Sequence, residues 1–182
     1  MNESVVPPTD IPAELPGTAG ADDAGKAPSP RAARKPAPKS SRRRSREFAL
    51  QGLYEWLLTG SEASLIEVHM REQEGFRQCD AAHFDALLHG CIREAAQIDA
   101  LLSQHVDRKT TELSPIEHGV LMIGTYELAH CIDIPYRVAI NEAVELAKSF
   151  GGTDGHKYVN GVLDKAAAQL RVDEIQARRA TR

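Results

Sequence analysis

SRRRSREFALQGLYEWLLTG, residues Ser41 to Gly60, joins a cluster of arginines to an amphipathic helix. Ala49, Leu50, Leu53, Trp56 and Leu57 recur at spacings of three, four and seven, which places them on one buried helical face. Gly60 is the natural stop, because glycine takes the left-handed turn that ends a helix at little cost. Arg42, Arg43, Arg44 and Arg46 lie in or just before the first turn and fan around the helix end. Cations there oppose the helix dipole, and four like charges repel one another. A guanidinium fork matches phosphate bidentately and stacks on bases. The cluster is therefore expected to meet an anionic partner, single-stranded RNA. The plainer alternative is a solvated patch.

On the N-terminal side of this stretch the composition changes. Residues 1–40 hold eight of the ten prolines among Ala, Gly, Ser and charge. Too few large apolar groups are present to offset the entropy of ordering, so a disordered Pro/Ala/basic leader is expected. Five acids and no Lys or Arg fall in residues 1–25, and nine bases and no acid in residues 26–46. Of the 26 acids and 22 bases in the chain, residues 47–182 therefore hold the remaining 21 acids and 13 bases. A basic segment on an acidic body fits an anionic partner at one place and a basic partner at another. The start, MNESVVPPTD, lacks a basic region followed by an apolar run, so no signal peptide is expected. No stretch approaches 18 consecutive apolar residues, so no membrane span is expected and the chain reads as cytoplasmic. Cys79, Cys91 and Cys131 are odd in number and form no CxxC pair, which fits reduced thiols better than disulfides or zinc.

Toward the C-terminus the periodicity is helical throughout. A short helix is expected over about 64–74, capped by Ser61 or Ser64 and closed near Gly75. One long helix is expected over about 80–105, with Phe84, Leu87, Leu88, Cys91, Ile92, Ala95, Ile98, Leu101 and Leu102 on its apolar stripe. Residues 106–113, VDRKTTEL, read as a polar connection. Ser114-Pro115-Ile116-Glu117 is a helix start, with serine as cap, proline at the first position and glutamate closing a capping box. Pro135 breaks that helix after about Cys131. Val138 to Phe150 forms the next helix, ended by Gly151-Gly152, and Thr153 or Asp154 caps the last one. No strand pattern appears. The prediction is an all-α domain over 41–172 with a frayed tail over 173–182.

Two further sets of residues carry possible chemistry. Phe150 to Gly161, FGGTDGHKYVNG, offers close backbone approach, Lys157 for charge and Tyr158 beside the apolar stripe. Tyr54 likewise sits at the edge of the first helix's buried face. Aromatic faces beside arginines hold unstacked bases, worth ~1–3 kcal/mol per base; the alternative is that both tyrosines simply pack at the core rim. Glu127-x-x-His130 and Asp80-x-x-His83, with Glu142 and Glu145, sketch the ligand set of a di-iron bundle. Asp80 falls at a helix start, where capping explains it. No phosphate-binding glycine loop, G-x-S-x-G or H-E-x-x-H occurs, so no enzyme, cofactor or metal is expected.

RRRSREFALQGLYEW, SPIEHGVLMIGTYEL and IPYRVAINEAVELAKSFGGTDGHKYVNGVLDKAA together resemble the NusB family of bacterial transcription antitermination factors, over about residues 42–170. The Pro/Ala/Lys leader departs from that compact family. The resemblance implies two packed three-helix bundles (NusB-like) without enzymatic activity. It implies binding to the boxA element of nascent ribosomal RNA leader transcripts, jointly with NusE, a small-subunit ribosomal protein. The pair would then join other Nus factors and RNA polymerase in an antitermination complex. Carried over by position, the RNA surface would comprise Arg42, Arg43, Arg44, Arg46, Tyr54, Asp154, Lys157 and Tyr158. Tyrosine at 158, where the family tends to have phenylalanine, keeps the π-face. The NusE surface would comprise Glu112, Glu117, Tyr126 and Glu127. The same helical fold also occurs at the N-terminus of some ribosomal RNA cytosine methyltransferases, but here little chain follows the last expected helix. The remaining alternative is a non-enzymatic helical adaptor whose arginines bind acidic partners.

Overall fold

The computed structural model describes residues 40–180. The expected leader, apart from Ser40, and the last two residues lie outside the described residues. Eight helices follow in order: α1 (Ser41–Thr59), α2 (Ala63–Glu72), α3 (Ala81–Arg93), α4 (Ala95–Leu102), α5 (Pro115–His130), α6 (Tyr136–Phe150), α7 (Gly155–Leu170) and α8 (Val172–Ala180). Short 3-10 turns occupy Phe76–Gln78 and Thr110–Glu112. No strand occurs among the described residues.

The first helix forms as its pattern dictates. Ser40 caps it by accepting from Arg43 N–H at 3.2 Å, and Gly60 ends it at φ 67 with its N–H returned to Trp56. Its apolar face packs on α2 and α3, where Phe48, Phe76 and Phe84 meet edge to face at 5.2 and 4.9 Å. α5, α6 and α7 form a second bundle around Ile123, Ala143 and Leu163. α5 runs through the middle of the molecule and touches α1, α3, α4, α6 and α7. Accordingly every residue from His118 to Leu128 is buried, as expected of a helix that is apolar nearly all round.

Three local expectations change. The long helix over 80–105 is two helices, because Glu94 leaves helical geometry at φ −104, ψ 15. The bend lets α3 pack on α1 while α4 packs on α5 and α7, so one apolar stripe serves both bundles. The start of α2 has no side-chain cap, with Glu62 rather than either serine at the cap position. Residues 173–180 of the tail expected to fray lie instead in the helix α8. Arg171, only 5% exposed, holds it down by donating to the carbonyls of Glu127, Leu128, Cys131 and Ile134. These include the orphan carbonyls at the end of α5, where a cation also suits the helix dipole.

At the start of α5, Ser114 accepts from Glu117 N–H at 3.2 Å and donates its hydroxyl to the Glu117 carboxylate at 2.8 Å. The cap is therefore present, but the glutamate closes on the serine side chain rather than on its backbone.

Candidate nucleic-acid interface

The start of α1 is pinned to the start of α3. Ser45 donates to Asp80 O at 2.6 Å, and Asp80 N–H donates to Ser41 O at 3.3 Å. Asp80 itself caps α3 by accepting from His83 N–H at 3.1 Å. Each arginine of the cluster then takes a direction set by its helical position.

Arg42 lies across from Asp133 at 2.9 Å and Asp80 at 3.6 Å, and remains 45% exposed. Arg43 reaches Glu145 on α6 at 3.4 Å. Arg44 makes no ion pair among the described residues and points past Gly75. The acids supplied by other elements offset the repulsion and dipole cost that the four arginines carry when α1 is viewed alone.

Arg46 is in the interior. It is 3% exposed and donates to Glu127 at 2.8 Å, with Glu142 at 3.3 Å. Glu127 is fully buried and also bonds His83 at 2.8 Å. Two residues expected on two different surfaces, one for RNA and one for NusE, are instead a buried ion pair joining α1 to α5. The signal was in the sequence: Arg46 stands three, four and seven residues before Ala49, Leu50 and Leu53, on the apolar stripe itself. Tyr126 is likewise 8% exposed, its ring packed on Gly90, and offers little surface to a partner. Glu112 is exposed, its carboxylate accepting from Lys109 N–H at 3.3 Å, and Glu117 is half-buried at the start of α5. Glu127 faces Arg46 while His130 faces Glu94, so the E-x-x-H pair points two ways.

Tyr54 is 41% exposed. It lies twelve residues beyond Arg42, about 18 Å along the helix at 1.5 Å per residue. The arginine turn and Tyr54 therefore occupy opposite ends of α1 and are not neighbours. α1 and α5 run antiparallel: Arg46 meets Glu127, Leu50 lies against Gly119, and Leu57 shares a cleft with Pro115 and His118. That register brings Tyr54 level with Glu117. Glu117 in turn lines a cleft of about 300 Å³ with Arg108, Gly152 to Gly155 and Tyr158.

Tyr158 packs against the core and is half-buried. The Arg108 guanidinium stands over its ring, 5.3 Å from the centroid, and its hydroxyl donates to Asp107 at 3.1 Å. Asp107 also pairs with Arg108 at 2.9 Å. Burial and the Asp107 carboxylate hold the Tyr158 phenol above its ordinary range. The Arg108 hydrogen bond keeps Asp107 below the usual carboxylate range. Asp154 does not cap α7 with its side chain; it pairs with Lys157 at 2.8 Å, both well exposed. Nothing in the sequence singles out Asp107 and Arg108, because VDRKTTEL reads as a plain polar connection. Their only signal there is opposite charge placed just before a strong helix start.

The NusB family model matches residues 43–168. The chain belongs to the NusB family. The transcription antitermination protein NusB of Ralstonia nicotianae is 58% identical over 136 residues, covering 75% of this chain and 88% of that one. NusB of Bordetella pertussis is 57% identical over 138 residues, covering 74% and 90%. Among solved structures, T. maritima NusB aligns with a TM-score of 0.65 and 29% identity, over 76% of this chain and 99% of that one. A structure of antitermination factors NusB and NusE in complex with dsRNA aligns with a TM-score of 0.66 over 71% and 97%. At 24% identity that likeness speaks to the fold. The NusB match thus begins within the arginine turn and ends in α7 beyond the Tyr158 cleft.

Proposed function

We propose that this chain is a non-enzymatic, cytoplasmic antitermination factor that binds the boxA element of nascent ribosomal RNA leaders together with NusE. The observation that carries this reading is NusB membership over residues 43–168, from the arginine turn into α7. The guanidinium groups of exposed Arg42 and half-buried Arg43 and Arg44 supply phosphate contacts and most of the salt dependence, about −0.7 in slope per neutralised phosphate of a single strand. Tyr54, with Lys157 and Tyr158 at the other end of α1, supplies base stacking and sequence preference. Asp154 borders that end and lowers affinity through repulsion and through its hold on Lys157.

Glu112 and Glu117 remain as the acidic groups offered to basic NusE, and complementary charge there steers association and sets register. NusE would enlarge the surface seen by RNA, after which the pair joins other Nus factors on RNA polymerase. Titration of boxA RNA with and without NusE tests the reading. Tighter RNA binding in the presence of NusE is expected. An unchanged affinity would overturn the joint surface.

A further inference from the structure

We infer that Arg108 is an RNA-contacting residue that Asp107 holds in reserve over the Tyr158 ring; this rests on the RNA-binding reading above. Three contacts form a closed triangle: guanidinium over ring at 5.3 Å, hydroxyl to Asp107 at 3.1 Å, and Asp107 to Arg108 at 2.9 Å. Tyr158 itself is half-buried against the core. A base that stacks on the face of Tyr158 that Arg108 covers must take the place of its guanidinium. The displaced group carries a full charge, is already 49% exposed, and lines the same open cleft of about 300 Å³. It is positioned to turn from the ring to the phosphate of the entering nucleotide, since one guanidinium can serve either a π-face or an oxyanion pair.

The acids around it set the resting state. Asp107, Glu117 and Asp154 face or border the cleft against Arg108 and Lys157. While Asp107 is paired with Arg108, that guanidinium is not released toward a strand. Asp107 thus acts as a positioning residue, through Arg108 and through the Tyr158 hydroxyl. A phenylalanine at 158 would keep the ring and lose one side of the triangle.

The test is a salt series of binding titrations of the full chain with a boxA single-stranded RNA, using Arg108→Gln, Asp107→Asn and the double variant. Both side chains are exposed, so folding is retained, which circular dichroism verifies. Arg108→Gln should weaken binding and reduce the slope of log K against log salt by about 0.7, one phosphate. Asp107→Asn should tighten binding several-fold, and that gain should vanish in the double variant. An unchanged salt slope for Arg108→Gln would overturn the assignment while leaving RNA binding intact. So would an equal gain from Asp107→Asn with or without Arg108, which would reduce Asp107 to simple repulsion of the strand. Absence of RNA binding by the unaltered chain would overturn this inference together with the function on which it rests.

Discussion

Removing the Arg46 guanidinium would leave Glu127, fully buried, with His83 as its remaining partner and its second carboxylate oxygen already without one. Breaking a buried pair from one side costs about 3–5 kcal/mol, because an uncompensated charge stays in the interior. Arg46→Ala should lower unfolding free energy by that amount in urea denaturation. Arg44→Gln, two residues away and unpaired among the described residues, should leave stability within about 0.5 kcal/mol and weaken RNA binding instead. Equal stability losses in the two variants would contradict the burial difference. At the other end of α1, Asp154→Asn removes the carboxylate that pairs with Lys157 at 2.8 Å. A modest tightening of RNA binding is expected in a fluorescence titration; unchanged or weaker binding would count against repulsion at this position. Arg46 and Glu127 also show where a sequence misleads at this scale. Charged residues are mostly exposed, so type alone sends both outward, and only their place within apolar patterns points inward.

Among the helices, the boundaries set by local chemistry are the ones legible in the sequence. Ser114-Pro115 starts α5 and Gly60 ends α1 as backbone preferences require. The break at Glu94 was not legible, because the apolar stripe runs on through it and only the separate packing of α3 and α4 bends the chain. α8 escaped for a similar reason. Its charged sequence has little intrinsic drive to order, and its anchor is Arg171, bound to carbonyls more than thirty residues away. Arg171→Leu should strip α8 from the body and expose its amides to rapid hydrogen exchange, with a stability loss of a few kcal/mol from unsatisfied carbonyls. Slow exchange throughout α8 in that variant would contradict the anchoring role. Between α3 and α5, a Cβ at Gly90 would fall 2.2 Å from the Tyr126 ring. Gly90→Ala should therefore cost about 1–3 kcal/mol through overpacking, despite its better helix propensity.

For the molecule as a whole, ion pairs between elements tie acid stability to specific carboxylates. Hydrogen bonds from His89 and Arg71 hold Glu67 below the usual carboxylate range, and Arg93 with His130 does the same for Glu94. A carboxylate depressed in the folded state stabilises above its unfolded pKa, about 4.3 for Glu. That stabilisation is lost as pH falls through the lower native value. Thermal melts should therefore show a falling Tm as pH drops below about 4.3, and Glu67→Gln should make the fall shallower. An identical profile in the variant would mean that this pair contributes nothing across the acid limb.

On the function proposed here, the same distribution of charge would receive RNA at the arginine turn and the Tyr54–Tyr158 end, and basic NusE on the acidic body. The most direct measurement is the salt dependence of boxA RNA binding by the full chain and by the triple variant Arg42→Gln, Arg43→Gln, Arg44→Gln. Weaker binding and a slope shallower by about 2 are expected, from three phosphates at about 0.7 each. Affinity and slope both matching the unaltered chain would contradict the account.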